Sequence, residues 1–423
     1  MPRTPEATAE GKAQPFARAP LLDTWWYGLT SRVPDAAFDA LAEQRHREGF
    51  TGVQLVVGLP PEVGPESVHA RSPEGLPWSG KAVPNARYLR HARQRIERLR
   101  RLGLDVVVYG GWGHHIDLVG VAGMRRWWRA VIEALDDLEP VWCLTGELHL
   151  WLLRPQRLGR TGTTGSLGGA MDRLRDRAAE LPLRVAGRLL PGDPWQARAR
   201  ARSDAWTAVL EELARSTKRP LLVHPTADRR GRASVGRPDL LAAETVHTSH
   251  ARQAAPRIWR EAQAGSAGGR AFYNLEPWYE GILDDFRTAD QLHAYWASMS
   301  CGASGHAYGA HGIWNAGDGR FLAHWGTQSW DEARALPTGA LLGESHRLVQ
   351  ALGAAAWPVA RVEARGDELV SATRAAPDGR RLTFVPAVEA AASWPPADEV
   401  FLPLEGRRTA ALPASGPAVL LAG

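Results

Sequence analysis

The feature that most constrains the fold is a regular alternation of short apolar runs and helical patterns between residue 20 and about residue 352. Eight runs have the length and composition of buried strands, at 21–28, 50–59, 104–113, 140–147, 220–226, 240–249, 271–279 and 305–314. This alternation is typical of a parallel sheet whose strands are joined by crossover helices. Eight such strands predict an α/β fold of the (β/α)8 TIM-barrel type.

The helical patterns fall between these strands, at 35–48, 86–102, 124–137, about 198–216, 251–263, 288–299 and 336–352. A segment rich in Gly, Arg and Pro, 154–197, is too long for a bare loop, so we expect an insertion after strand four with a helix near 168–180. A doubly wound sheet is the competing fold. It is disfavoured because the first strand leads into DTWWYG and not into a glycine-rich phosphate fingerprint.

The chain changes character after residue 353, where helical periodicity stops. Short strands bounded by proline follow, at about 359–364, 368–375, 380–386, 398–403 and 417–422. Pro377-Asp378-Gly379 predicts a hairpin turn among them. We therefore expect a flexible N-terminal segment at 1–19, a barrel domain at 20–352 and a small antiparallel β domain at 353–423.

Composition excludes several classes of protein. Hydrophobic residues make up 44% and charged residues 23%, which fits a folded chain and not a disordered or fibrous one. The net charge is +5, but the basic residues are dispersed and no nucleic-acid motif accompanies them, so we expect no nucleic-acid partner. No apolar run has the length of a membrane span or a signal peptide, which predicts a cytoplasmic protein without a membrane partner. Cys143 and Cys301 show neither disulfide nor metal-ligand spacing.

Two predicted strands end in a glutamate, and active sites of such barrels lie at the C-terminal ends of the strands. In VWCLTGE, period-two alternation places Cys143 and Glu147 on one side of strand four. In AFYNLEPWYEG the same alternation groups Phe272, Asn274 and Glu276 on strand seven. Cleavage of a glycosidic bond needs one carboxylic acid to protonate the leaving oxygen and one carboxylate to attack or to activate water. The pair therefore predicts a glycoside hydrolase that needs neither a cofactor nor a metal.

Other polar and aromatic residues at the strand ends are candidates for sugar binding. The chain has 18 Trp against 7 Tyr and 8 Phe, and indole offers a flat apolar platform for a sugar ring. The candidates are Asp23, Trp25, Trp26, Trp112, His115, His247, His250, Trp278, Tyr279, Glu280, His306, Tyr308 and Trp314. Asp23 is equally compatible with an ion pair at the rim. Glu280 is the alternative nucleophile if the alternation around Glu276 is shifted.

Residues 20 to 350 resemble a known family, the apiosidase-like glycoside hydrolases. The motifs that carry the resemblance are DTWWYGLTSRV, REGFTGVQLVV, PNARYLRHARQRIERLRRLGLDVVVYGGWG, VWCLTGE, NLEPWYEG and YWASMSCGASGHAYGAHGIW. The resemblance implies a retaining (β/α)8 glycosidase with its catalytic carboxylates on strands four and seven. Carried over by position, it implies that Glu276 is the nucleophile and Glu147 the acid/base. The family commonly has Gly-Gly-Asp where this chain has Thr-Gly-Glu.

We therefore expect an enzyme that cleaves a terminal sugar from small glycosides or oligosaccharides with retention of configuration. Furanosides of apiose, arabinose or galactose lead by resemblance, and a pyranoside stays open. A metal-dependent hydrolase is one alternative, because the chain has 14 His. Such barrels usually open with His-x-His on strand one, where this sequence has only Asp23. A non-catalytic sugar-binding barrel is the other, and the carboxylate pair argues against it because binding alone does not require both groups.

Overall fold

The computed structural model describes residues 15–152, 194–391 and 393–423. Its centre is a sheet of eight strands, β1 (Leu21–Trp25), β2 (Gly52–Val56), β3 (Asp105–Tyr109), β4 (Val141–Cys143), β5 (Leu221–Leu222), β6 (Glu244–His247), β7 (Phe272–Glu276) and β8 (Gly305–Tyr308). Neighbouring strands are parallel in the order β5-β4-β3-β2-β1-β8-β7-β6. The prediction of a (β/α)8 barrel is confirmed.

The barrel is nearly closed where the two edge strands, β5 and β6, face each other. Two hydrogen bonds join the segments there. The backbone N–H of Ala242 donates to the carbonyl of Leu221 at 2.9 Å. The hydroxyl of Thr245 donates to the carbonyl of Val223. These contacts satisfy edge groups that would otherwise be buried without partners.

Helices surround the barrel: α1 (Asp35–Glu48), α2 (Ala86–Arg101), α3 (His115–Leu135), α4 (Pro194–Ser216), α5 (Arg257–Ser266), α6 (Thr288–Ser300), α7 (Trp330–Arg334) and α8 (Thr338–Leu352). The start of α3 differs from the prediction near residue 124, because the chain kinks at Gly120 (φ 70°) and the turn before the kink lies outside the periodic pattern. The helix expected near 168–180 lies outside the described residues. None of the helices described combines the length and apolar character needed to cross a bilayer.

Tryptophan fills the layer between the barrel and its helices. Trp25 packs edge-on against Phe38 of α1, with ring centroids 5.3 Å apart, and Trp142 packs edge-on against Trp128 of α3 at 5.6 Å. Much of the tryptophan excess therefore serves the core and not sugar platforms. The fully buried tryptophans are Trp25, Trp26, Trp112, Trp127, Trp128, Trp142, Trp206 and Trp296.

Residues on both sides of the barrel in sequence belong to the described structure. Phe16 lies in the segment predicted to be flexible, yet it is buried, with its ring centroid 5.4 Å from that of Tyr273. The C-terminal region forms an antiparallel sheet of β9 (Val359–Arg365), β10 (Glu368–Ala375), β11 (Arg381–Val385), β12 (Glu399–Leu402), β13 (Arg407–Thr409) and β14 (Ala418–Ala422). These strands pair in the order β9-β10-β11-β14-β12-β13. The short β13 was not predicted, and the division into domains at residue 353 stays a prediction.

Arg374 of β10 joins this sheet to the barrel. Its guanidinium is buried and, among the described residues, pairs with no carboxylate. Instead it donates to backbone carbonyls at the C-terminal ends of α6 and α8, where helix carbonyls lack intrahelical partners. Burial lowers its pKa to about 10. The acceptors are the carbonyls of Met299 (2.6 Å), Ala303 (2.8 Å), Ala354 (3.3 Å), Ala355 (2.6 Å) and Trp357 (2.9 Å).

We predict that Arg374→Ala lowers the free energy of unfolding by about 2–4 kcal/mol, because it leaves several buried carbonyls without a hydrogen-bond donor. The free energy of unfolding of Arg374→Lys should lie between those of the wild type and Arg374→Ala, since lysine keeps the charge but not the planar guanidinium group. Urea denaturation followed by tryptophan fluorescence measures the effect. Arg381→Ala, at an exposed arginine of the neighbouring strand, is the control and should match the wild type. Equal stability of Arg374→Ala and the control would contradict the anchoring role.

Candidate active site

Glu147 lies four residues beyond β4 and has a positive φ of 35°, in the left-handed region of backbone conformation. Pairing between β3 and β4 continues past both strands, since Gly146 donates to the carbonyl of Gly111 at 2.9 Å. The indole of Trp112 lies against Gly146, where a Cβ would stand 2.6 Å from the ring. That position lets Trp112 Nε1 donate to Oε2 of Glu147 at 3.0 Å. The missing side chain of Gly146 thus allows an indole to hold the carboxylate.

Glu276 is the last residue of β7, and only 5% of it is exposed. Three imidazoles surround its carboxylate: Nε2 of His224 lies 3.1 Å from Oε2, Nε2 of His250 lies 3.3 Å from Oε1, and Nδ1 of His247 lies 4.0 Å from Oε2. Burial opposes ionisation of this group, but the histidines outweigh it and hold the pKa of Glu276 well below its ordinary value. The carboxylate is therefore ionised at neutral pH.

His247 stands between the two glutamates. Its Nδ1 lies 3.5 Å from Oε1 of Glu147 and 4.0 Å from Oε2 of Glu276. The distance between these two carboxylate oxygens therefore cannot exceed the sum of the two distances. Burial lowers the pKa of His247, and the two carboxylates more than compensate, so that it is raised overall. A single imidazole therefore interacts with both acidic groups.

Aromatic side chains form the wall beside this pair. The indole of Trp26 packs edge-on against Trp112 at 5.2 Å, and its Nε1 donates to the hydroxyl of Tyr279 at 3.2 Å. Burial, and next the charge of Glu276, hold the pKa of Tyr279 well above its ordinary value. Trp314 lies 6.1 Å from the ring of Tyr279. The wall thus combines apolar ring faces with one neutral hydroxyl beside the buried carboxylate.

The structure brings together these predicted site residues at the barrel mouth: Glu147, Glu276, Trp26, Trp112, His247, His250, Tyr279 and Trp314. The remaining predicted residues lie elsewhere. Trp278 stacks on Phe286, and His306 packs edge-on against Tyr295 of α6. His115 is fully buried and accepts a hydrogen bond from the backbone N–H of Trp112 at 2.9 Å, so it supports a wall residue from behind.

Asp23 faces α1 and not the mouth. Its Oδ2 accepts from Arg45 Nε at 2.7 Å and from Trp25 Nε1 at 2.7 Å, and the side chains of both ion-pair partners are almost entirely buried. Arg45 also pairs with Glu48 at 2.6 Å. Asp23 and Trp25 therefore belong to the packing between β1 and α1, which matches the ion-pair alternative for Asp23.

Glu280 and Tyr308 form a second buried cluster behind the wall. The hydroxyls of Tyr308 (2.6 Å), Thr338 (2.7 Å) and Thr288 (3.2 Å) all donate to the Glu280 carboxylate. Burial raises the pKa of Glu280, the direction opposite to that of Glu276. With both oxygens occupied by internal donors, Glu280 is placed less well than Glu276 to attack a substrate.

Sequence reasoning missed three residues of the site. His224 follows β5 and touches Glu276, Tyr109 ends β3 with its ring 4.8 Å from that of Trp26, and the half-buried Trp325 lies 6.3 Å from His250. A signal was present for His224, the first polar residue after the apolar run of strand five. Trp325 lies well beyond β8 in a loop, where no strand pattern indicates its direction.

The same cluster has the donor types of a transition-metal site. One ligand atom each from His224, His247 and Glu276 lies within 4.8 Å of the others, and all three residues are buried. Two imidazoles and a carboxylate are a donor set that zinc and iron accept. The side chains of the site are therefore suited to carboxylate chemistry, and their donor types alone are also those of a metal site.

Comparison with known proteins agrees with the barrel fold described above. The family model described as Apiosidase-like, catalytic domain, matches residues 14–354. A solved structure described as a glycoside hydrolase is 14% identical, with a TM-score of 0.64 over 95% of this chain and 92% of its own. A glycoside hydrolase family 5 protein from Bacteroides vulgatus ATCC 8482 is also 14% identical, with a TM-score of 0.65 over 95% and 88%. At such identities the likeness concerns the fold. No curated protein matches the sequence.

We predict that Asp23→Asn lowers the free energy of unfolding by about 3 kcal/mol and leaves KM unchanged, because it leaves the buried Arg45 short of one charge partner. Urea denaturation and initial-rate kinetics on one preparation separate the two effects. Asp105→Asn, which breaks the partly exposed pair with Arg100, is the matched control. A rise in KM at wild-type stability would instead place Asp23 against the sugar.

Proposed function

This chain belongs to the apiosidase-like family of glycoside hydrolases, and we propose that it cleaves a terminal sugar from small glycosides or oligosaccharides with retention of configuration. The observation that carries the proposal is the pair formed by Glu147 and Glu276 around His247 at the barrel mouth. One carboxylate is buried and held ionised, while 16% of the other side chain is exposed. The two groups thus differ in environment as an attacking group and a proton donor must differ.

We assign the roles from those environments. Glu276 attacks the anomeric carbon and forms a glycosyl ester, while Glu147 protonates the departing oxygen. Glu147 then takes a proton from water, whose oxygen displaces the ester and releases the sugar. The indole Nε1 of Trp112 and the imidazole of His247 both face Glu147, so its carboxylate is held whichever way the proton moves.

The burial of Glu276 supports action on a chain end. Glu276 is almost completely covered, and the buried rings of Trp26, Trp112 and Tyr279 pack around it. A sugar that reaches a carboxylate at this depth fits as a terminal unit more easily than as the middle of a polymer. Furanosides of apiose, arabinose or galactose are the first substrates we propose, and a cytoplasmic location is part of the proposal. A screen of aryl furanosides and pyranosides with the purified protein identifies the sugar.

A metal-dependent hydrolase is the second candidate, favoured by the cluster of His224, His247 and Glu276. Carboxylate chemistry needs no Lewis acid, so prolonged treatment with a chelator should leave the rate unchanged if the first proposal holds. Activity that is lost on chelation and restored by zinc would favour the second.

We predict that Glu276→Gln lowers turnover by roughly 1000-fold or more, since it removes the nucleophile. Glu147→Gln should lower it by about 100- to 10,000-fold on poor leaving groups and much less on activated aryl glycosides, which need no proton. Rates on a series of aryl glycosides of increasing leaving-group acidity measure both effects. Glu133→Gln, at an exposed glutamate of α3, is the control. An active Glu276→Gln beside an inactive Glu280→Gln would move the nucleophile to Glu280.

The stereochemical outcome tests the mechanism separately. Attack by Glu276 followed by attack of water inverts the anomeric carbon twice, so the first product should have the configuration of the substrate. Proton NMR of the anomeric signal in the first minutes of hydrolysis measures this before mutarotation. Release of the opposite anomer would mean that Glu276 activates water across a wider gap, of about 6.5–9.5 Å between carboxyl groups.

A further inference from the structure

His224 is fixed in place by the backbone of the segment that carries Glu147. It is fully buried, and its N–H donates to the carbonyl of Thr145 at 3.1 Å, while its own carbonyl accepts from the N–H of Leu148 at 3.2 Å. The imidazole therefore has little freedom relative to the loop after β4. Its two ring nitrogens face different partners: Nδ1 faces Glu147 and Nε2 faces Glu276.

The first of these contacts defines the tautomer. The backbone N–H of Glu147 donates to Nδ1 of His224 at 3.1 Å. A ring nitrogen that accepts a hydrogen bond carries no proton, so the proton of the neutral imidazole sits on the other nitrogen. Nε2 is therefore the N–H of His224.

The second contact is the one this proton faces. Nε2 of His224 lies 3.1 Å from Oε2 of Glu276, but the two are not aligned as a hydrogen bond, and neither atom has another hydrogen-bond partner among the described residues. Contacts of this kind often become aligned only when substrate is bound. The proton set by the Glu147 backbone is thus directed at the carboxylate of Glu276.

We propose that His224 is a positioning residue that transmits the placement of Glu147 to Glu276: the backbone N–H of Glu147 fixes Nε2 as the donor, and that donor orients the carboxylate of Glu276. The inference rests on the proposed function, because it takes Glu276 as the nucleophile. It adds a residue outside the predicted set of site residues and gives it a defined proton.

The same tautomer of His224 disfavours binding of a metal ion by the cluster at the barrel mouth. A metal bound by His224, His247 and Glu276 needs the lone pair of Nε2 on His224, which would move its proton to Nδ1. Nδ1–H would then face the N–H of Glu147, so that two donors would oppose each other at 3.1 Å. The donor set of a metal site is present, but the group beside Nδ1 is a hydrogen-bond donor where a metal-bound histidine needs an acceptor.

Two variants of His224 test the roles of its two ring nitrogens separately. The side-chain oxygen of His224→Asn can take the place of Nδ1 and accept from Glu147, but this variant offers no donor to Glu276. The amide N–H of His224→Gln can take the place of Nε2 and donate to Glu276. We expect His224→Asn to lower kcat/KM by about 10- to 100-fold, the equivalent of one hydrogen bond to a charged group. His224→Gln should retain most of the wild-type kcat/KM.

The pH profile gives a readout that a merely structural role would not change. Loss of a donor to the ionised form raises the pKa of Glu276, so the acid limb of kcat/KM should move to higher pH in His224→Asn and stay in place in His224→Gln. Both variants leave unchanged the other titratable groups near Glu276, which are His247, His250, Tyr279, Tyr109 and, on the far side of His247, Glu147. Equal acid limbs in the two variants would overturn the proposal.

A measurement without substrate keeps the inference separate from the proposed function. Nitrogen-15 NMR of histidine-labelled wild type distinguishes protonated from unprotonated ring nitrogens, and His224→Gln identifies the signals of His224. We expect a protonated Nε2 and an unprotonated Nδ1. The opposite tautomer, or stoichiometric zinc binding to the wild type that both variants lose, would overturn the proposal even if the enzyme is a glycosidase. The expected tautomer in a protein inactive on every glycoside would count against the proposed function alone.

Discussion

The candidate site depends on a close approach between the ends of β3 and β4 that only glycine allows. A Cβ on Gly146 would stand 2.6 Å from the Trp112 ring, and a Cβ on Gly113 would stand 2.3 Å from the carbonyl of Leu148. With these two side chains absent, the parallel pairing runs beyond the regular strands and carries Trp112 over the backbone of the next segment. The position of Glu147 follows from this packing, and the environment of Glu276 follows through His224.

Most of the barrel could be predicted from sequence because its strands are buried on both faces. Such strands appear as continuous apolar runs, and the helices between them show the period of a one-sided apolar face. The elements that escaped prediction are those without such a pattern. The first turns of α3 precede the kink at Gly120, α7 has only five residues, and β13 is a three-residue edge strand with its side chains largely exposed.

The site was predictable only in part, because a residue at a strand end can face the mouth or the surrounding helices. Alternation succeeds on β4, where Trp142 packs outward against Trp128 and the next residue faces inward. On β7 it groups Glu276 with Phe272, yet Phe272 packs against Gly265 of α5. Glu276 reaches the mouth as the last residue of the strand, beside an irregular register between Val246 and His247. Sequence position finds such a residue, but the direction of its side chain depends on tertiary packing.

The anchoring of the C-terminal sheet bears on where the folding unit ends. The family match stops at residue 354, but Arg374 donates to carbonyls at the C-terminal ends of α6 and α8, and the ring of Phe384 stacks on Trp296 of α6. A chain cut at the family boundary would leave an indole and a set of helix-end carbonyls facing water. The end of the catalytic-domain match and the edge of the packed structure therefore do not coincide in this protein.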